Sequence, residues 1–244
     1  MDSENTTFDI IEITAVIDQS IQSINHQKNF FSYFLSDIKE DNNIAYKCLK
    51  DNGALYNMIL NIYAIYESTV KDTLLLSLEL IEKENYSLKE LKKSLRILYF
   101  NKEIKNIRKI FGESSTKKSA EGNSYFINNI NNFYDYLNED IRFETSDDMI
   151  DTKSNLKYDV FETLIGYFGD DISAYKDFKK WINSLVHHRN NVAHGNTFSL
   201  NKIPSNIIPL DESNYEELCT GIISFFKIYK DRLYTYIKNK NFLV

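Results

Sequence analysis

Apolar residues recur along this chain at three- and four-residue steps, the repeat that lines one face of an α-helix. Phe8 to Lys39 contains no Gly or Pro, and its stripe of Ile10, Ile13, Ile17, Ile21 and Ile24 predicts a long first helix, interrupted near His26. Ala54 to Glu84 predicts a second, with Leu55, Ile59, Ile62, Tyr66, Val70, Leu74, Leu78 and Ile81 in register and Gly53 at its boundary. Ser87 followed by Glu90 is a capping box, the reciprocal side-chain cap of a helix start. It opens a third helix striped by Leu88, Leu91, Leu95 and Leu98.

Further along, Gly112 to Asn123 reads as a loop and Tyr125 to Leu137 as a short aromatic helix. Asn138 to Asp151 carries six acids with little periodicity and reads as an exposed loop. Tyr158 to Phe168 is a short helix stopped by Gly169, since glycine tolerates the left-handed turn that ends helices. Ser173 caps a helix running to about Ala193 and ended by Gly195, so this element spans about 173–195. Asn196 to Pro209 holds both prolines and reads as a loop. Asp211 or Ser213 opens the last helix, striped by Leu218, Ile222, Phe225, Phe226, Tyr229, Leu233 and Ile237 and ending near Asn239. The expectation is an all-α chain, one helical domain over residues 1–244 with an insertion around 100–155.

Composition strengthens this. The chain has 7 Gly and 2 Pro in 244 residues, where average usage gives about 17 and 12. So few breakers favour long helices over a many-stranded sheet. Cys48 and Cys219 are too few for a disulfide framework and sit in no metal-ligand spacing, so both read as buried apolar residues. The first ten residues carry three acids and no base, unlike a secretory leader, and no apolar run reaches the roughly 20 residues a bilayer requires. The expected location is the cytoplasm, with no membrane partner.

The net charge of −6 argues against coating nucleic acid by bulk attraction. It is unevenly spread: Leu88 to Lys118 holds ten bases and three acids, a local +7 against −13 elsewhere. Lys92, Lys93, Arg96, Lys105, Arg108 and Lys109 are therefore candidate contacts to RNA phosphates. The same segment also fits a solvated helix face, or a helix laid on duplex DNA. Phe126, Phe133, Tyr134 and Tyr136 suit stacking on unpaired bases, but their helical spacing favours core packing.

Three of the four histidines fall in Trp181-Ile-Asn-Ser-Leu-Val-His-His-Arg-Asn-Asn-Val-Ala-His-Gly195. Arginine offers a planar, permanently charged fork shaped for phosphate. Histidine moves protons near neutral pH. An Arg and a His without a carboxylate or cysteine cluster suit cleavage of an RNA phosphodiester, where the substrate's 2′-hydroxyl is the nucleophile. Five residues of helix turn through roughly 500°, placing Arg189 and His194 about 140° apart. Asn190 and His194 share a face. Two copies meeting about a twofold axis would gather both groups in one cleft. The competing reading is a cationic last helical turn favoured by the helix dipole. His187 and His188 read as exposed polar residues, and a zinc site built from them with His194 lacks supporting spacing.

Arg189-Asn-Asn-Val-Ala-His194-Gly195 resembles the HEPN superfamily signature of Arg, a polar residue, and His after four intervening residues. Leu185-Val186-x-x-Arg189-Asn190-x-Val192-Ala193-His194-Gly195 is similar to the branch found in small bacterial toxin and phage-defence proteins, notably the MAE_28990/MAE_18760-like and RiboL-PSP types. Tyr158 to Asp170 fits the short helix before the motif helix, and Tyr63-Ala-Ile-Tyr-Glu67 resembles the aromatic, glutamate-bearing helix that packs on it. The resemblance implies a HEPN-like helical bundle, a homodimer and a metal-independent endoribonuclease with no cofactor. Arg189 would bind and polarise the phosphate, His194 would serve as general acid or base, and Asn190 would orient His194. Glu67 and His188 would be supporting polar groups. It also implies an RNA substrate and, as partner, a cognate antitoxin or second defence component. The alternative is a non-catalytic HEPN binding module. His187 and His188 stand where the family is permissive, and the basic 88–118 segment has no firm counterpart in it.

Overall fold

Six α-helices carry the chain among the residues described by a computed structural model, which are 2–39, 54–101, 141–194 and 204–244. They are α1 (Asp2–Lys39), α2 (Ala54–Lys83), α3 (93–101), α4 (Tyr158–Phe168), α5 (Lys179–Ala193) and α6 (Glu212–Lys238), with 3-10 turns at Leu88–Glu90 and Ile172–Phe178. The architecture is all-α; the described residues form no strand beyond two isolated bridges. The expected aromatic helix at 125–137, the 112–123 loop, Cys48, Lys105, Arg108 and Lys109 lie outside the described residues. None of the described helices is long and apolar enough to cross a membrane.

The apolar stripes set the packing. α1 lies along α2 and α6, and α2 packs on α5, so α2 is sandwiched between the first helix and the motif helix. One continuous cluster of buried side chains runs from Ile10 to Phe242. Its centre is aromatic: the Phe225 ring lies 5.1 Å from Phe161, 5.4 Å from Phe226 and 5.7 Å from both Tyr66 and Tyr229. Thr73 shares a hydrogen bond of 2.9 Å with the Tyr229 hydroxyl, satisfying both polar groups in this interior.

Several boundaries differ from the local patterns. α1 runs unbroken through His26, whose side chain is exposed while Ile24 and Phe31 continue the buried stripe. The Ser87–Glu90 capping box forms, but it closes only a three-residue turn. Leu91 is extended and bridges Leu243, the Lys92 amide donates to the Phe242 carbonyl, and α3 starts at residue 93. A contact from the far end of the chain thus overrides the local helix signal. The acidic 138–151 stretch is not wholly exposed. Its acids at 144, 147, 148 and 151 face solvent, but Phe143, Met149 and Ile150 are buried, and the Thr145 amide donates to Glu82.

The helix expected over 173–195 is two elements. Asp171, not Ser173, is the cap: its carboxylate accepts from the Ser173 amide at 2.9 Å and from the Ser173 hydroxyl. A 3-10 turn follows, and α5 begins only at Lys179. The α4 stop is as expected, with Gly169 at φ +70°. α6 is capped by Asp211, which accepts from the Asn214 amide.

Gly221 marks a close approach of α6 to Trp181 on α5. A Cβ there would sit 2.5 Å from Cδ2 of Trp181, inside the ring's contact surface. Alanine ordinarily stabilises a helix interior relative to glycine. Here Gly221→Ala is expected to cost about 1–3 kcal/mol by forcing α5 and α6 apart. Urea unfolding checks this, with Trp181, the single tryptophan, as the fluorescence probe; a stabilised variant would contradict the packing described.

Candidate active site

Successive residues of α5 face different surroundings, since each step along a helix turns about 100°. Ile182 and Leu185 are fully buried. On a second face, the Ser184 hydroxyl donates to the Lys180 carbonyl and accepts from the Ile208 amide at 2.9 Å. One turn later, His188 Nε2 bonds the Ile208 carbonyl at 2.7 Å. Both backbone groups of Ile208 are thus held by α5, which fixes the segment entering α6. His188 is 1% exposed, and burial pulls its imidazole below the usual histidine range, keeping it neutral. It was expected to be exposed, or to support the motif. It is instead buried, because α5 turns it onto the Ile208 carbonyl.

Arg189 lies over α2. Its guanidinium carbon is 4.7 Å from the centroid of the Tyr63 ring, a cation–π contact. One of its N–H groups donates to Asn190 Oδ1 at 2.9 Å, and Asn190 Nδ2 donates to Asn155 Oδ1 at 3.3 Å. The platform is itself anchored: the Tyr63 hydroxyl accepts from the Leu156 amide at 3.0 Å. Burial, reinforced by nearby Glu67 and opposed by the Leu156 amide, pushes the Tyr63 phenol up to about 12. Glu67 sits one turn further along α2, half-buried, with one carboxylate oxygen lacking a hydrogen-bond partner among the described residues.

His194 is the C-cap of α5. Its amide donates to the Asn190 carbonyl at 3.0 Å and its side chain is exposed. Asn183, His187, Asn190 and His194 are spaced four, three and four apart, so they form one stripe along α5. Beside this stripe lies an open groove of about 470 Å³. Its lining includes His187, Asn190 and Asn191 from α5, Lys157 and Asp159 before and within α4, Lys179, and Ile207. Asn191 donates to His187 Nε2 at 3.0 Å. His187 and His188 therefore have different partners, and the described residues gather no group of three or more His, Cys, Asp and Glu that would hold a metal.

The described part of the basic segment, residues 88–101, lies elsewhere. Lys92 and Ser94 flank Gly169, at the end of α4, whereas the groove borders its beginning. Eleven residues of helix separate the two ends, about 16 Å at 1.5 Å per residue. Lys93 is exposed and Lys92 and Arg96 are half-buried; none of the three lines the groove. Arg189, Asn190 and His194 occupy the last turns of α5: Arg189 and Asn190 are joined through their side chains, and His194 bonds Asn190 through its backbone amide. Tyr63 as a platform, Asn155 as the end of the amide chain and the groove lysines were not anticipated.

A helical bundle with arginine, asparagine and histidine clustered at the end of its motif helix is the arrangement that the HEPN signature implies. The RiboL-PSP-HEPN family model matches residues 49–235, and the chain belongs to that family. The match covers α2 through most of α6, including the motif and its supporting helix. No curated protein and no solved structure matches the chain.

Proposed function

We propose that this protein is a metal-independent endoribonuclease that cuts RNA by 2′-hydroxyl attack, acting as a toxin or antiviral-defence effector. Family membership points to ribonuclease-type or RNA-related work. The observation that carries the finer reading is the placement of the motif: Arg189 held by Tyr63 and Asn190, with the His194 imidazole exposed one turn beyond.

The 2′-oxygen bonds to phosphorus while the bond to the 5′-oxygen breaks. One imidazole takes the 2′-hydroxyl proton and another group delivers a proton to the leaving 5′-oxygen. Arg189 neutralises the charge that builds on the phosphoryl oxygens. Arg189 faces α2 while His194 ends the groove stripe, so a second copy about a twofold axis supplies the complementary pair in this reading. A cognate antitoxin or second defence component would restrain the cleft.

The test is cleavage of single-stranded RNA in excess EDTA. The expected products carry 2′,3′-cyclic phosphate and 5′-hydroxyl ends. Cutting that requires an added divalent metal would overturn the mechanism. Intact RNA, together with a stable complex with a neighbouring gene product, would favour a binding module instead.

A further inference from the structure

We propose that the groove beside His187 is a nucleotide-recognition subsite. It seats one RNA residue next to the scissile bond, its base against His187 and Asn191 and its phosphate at Lys157 and Lys179. The inference deepens the ribonuclease reading and takes its substrate class from it.

The volume of about 470 Å³ falls within the roughly 300–1,000 Å³ typical of small-ligand pockets. The chemistry of the lining matches a nucleotide in parts. Two lysines, Lys157 and Lys179, against one carboxylate, Asp159, give the groove a cationic balance suited to a phosphate. Ile207 offers an apolar surface to a base face, and it is held in place because α5 captures both backbone groups of Ile208. Asn191 donates to His187 Nε2, which places the ring proton on Nδ1. Nδ1–H and the Asn191 carbonyl oxygen then form a donor and an acceptor one helical turn apart. That is the complement of a base edge, the feature by which unpaired RNA is read. Burial lowers the His187 imidazole from its usual range, favouring this neutral, two-way form.

The position of the groove completes the argument. His187, Asn190 and His194 share one stripe, so a nucleotide in the groove leads its neighbour along α5 towards the exposed imidazole. Asn190 belongs to both regions: it lines the groove and accepts from Arg189.

The experiment is a calorimetric titration of the full chain with the 3′-monophosphates of adenosine, cytidine, guanosine and uridine, and with inorganic phosphate. His187→Ala, Lys179→Ala and the near-isosteric Asn191→Asp are run alongside, their folding verified by near-ultraviolet circular dichroism. At least one mononucleotide is expected to bind more tightly than phosphate. Each variant should weaken it by about tenfold, the equivalent of one lost hydrogen bond. Asn191→Asp should also change which nucleotide is preferred. Equal binding of phosphate and all four nucleotides, or variants that bind as the parent does, would overturn the subsite. Titration needs no turnover, so the two ideas fail separately. An inactive protein that binds in this pattern keeps the subsite and loses the nuclease. An active one whose cut-site preference ignores Asn191→Asp loses the subsite and keeps the nuclease.

Discussion

His194→Ala is expected to slow RNA cleavage by about 10²–10⁴-fold, the usual contribution of a positioned proton-transfer group. Thermal stability should be unchanged, because the imidazole is exposed at the α5 C-cap and, among the described residues, His194 is held through its backbone amide. Arg189→Ala should cost at least as much activity, but with a stability penalty of about 1 kcal/mol from the lost contact with Tyr63. Arg189→Lys discriminates further. It keeps the charge and loses the planar fork, so it should recover little activity if bidentate phosphate binding is what matters. Single-turnover cleavage of end-labelled RNA, paired with a melting curve for each variant, measures both quantities. A His194→Ala protein that cuts within twofold of the parent would remove His194 from the chemistry.

Phe225→Ala is expected to destabilise the fold by about 3–5 kcal/mol, the range for emptying a large aromatic site. The ring is fully buried and meets residues from α2, α4, the 172–178 turn and α6 itself, including Tyr66, Phe161, Tyr175 and Phe178. With walls contributed by several elements, the cavity has little freedom to collapse. Chemical unfolding followed by far-ultraviolet circular dichroism gives the value. A loss below about 1 kcal/mol would mean that neighbouring rings close the gap, which tight interior packing argues against.

Much of this architecture was legible in the residue pattern, for a physical reason. α2, α4 and α6 are helices whose apolar stripes face a single core, so period alone locates them. Gly169 and Asp211 end and begin helices through local chemistry. The 87–92 stretch departs from its local helix signal because Ser87 and Leu88 pair with Arg142 and Ile141, and Leu91 and Lys92 with Leu243 and Phe242, partners distant in sequence that no local signal reports. The buried residues at 143, 149 and 150 were hidden for a similar reason, as their acidic neighbours dominate the local composition. At the candidate site, Arg189, Asn190 and His194 were visible because their types and spacing carry chemistry. Tyr63 under Arg189, Asn155 beyond Asn190 and Ile208 against His188 are tertiary partners that no spacing rule selects. His188 shows the limit most sharply, since a histidine beside the motif arginine looks functional until the helix turns it inward.

The crowding of duties into one turn of α5 bears on how such a chain can change. His187 looks into the groove, His188 holds the segment behind it, and Arg189 rests on the neighbouring helix. Inserting or removing one residue between Ser184 and His187 would swing everything beyond it by about 100°, exchanging all three assignments at once. A substitution here leaves the other side chains in register, whereas a change of length moves them all.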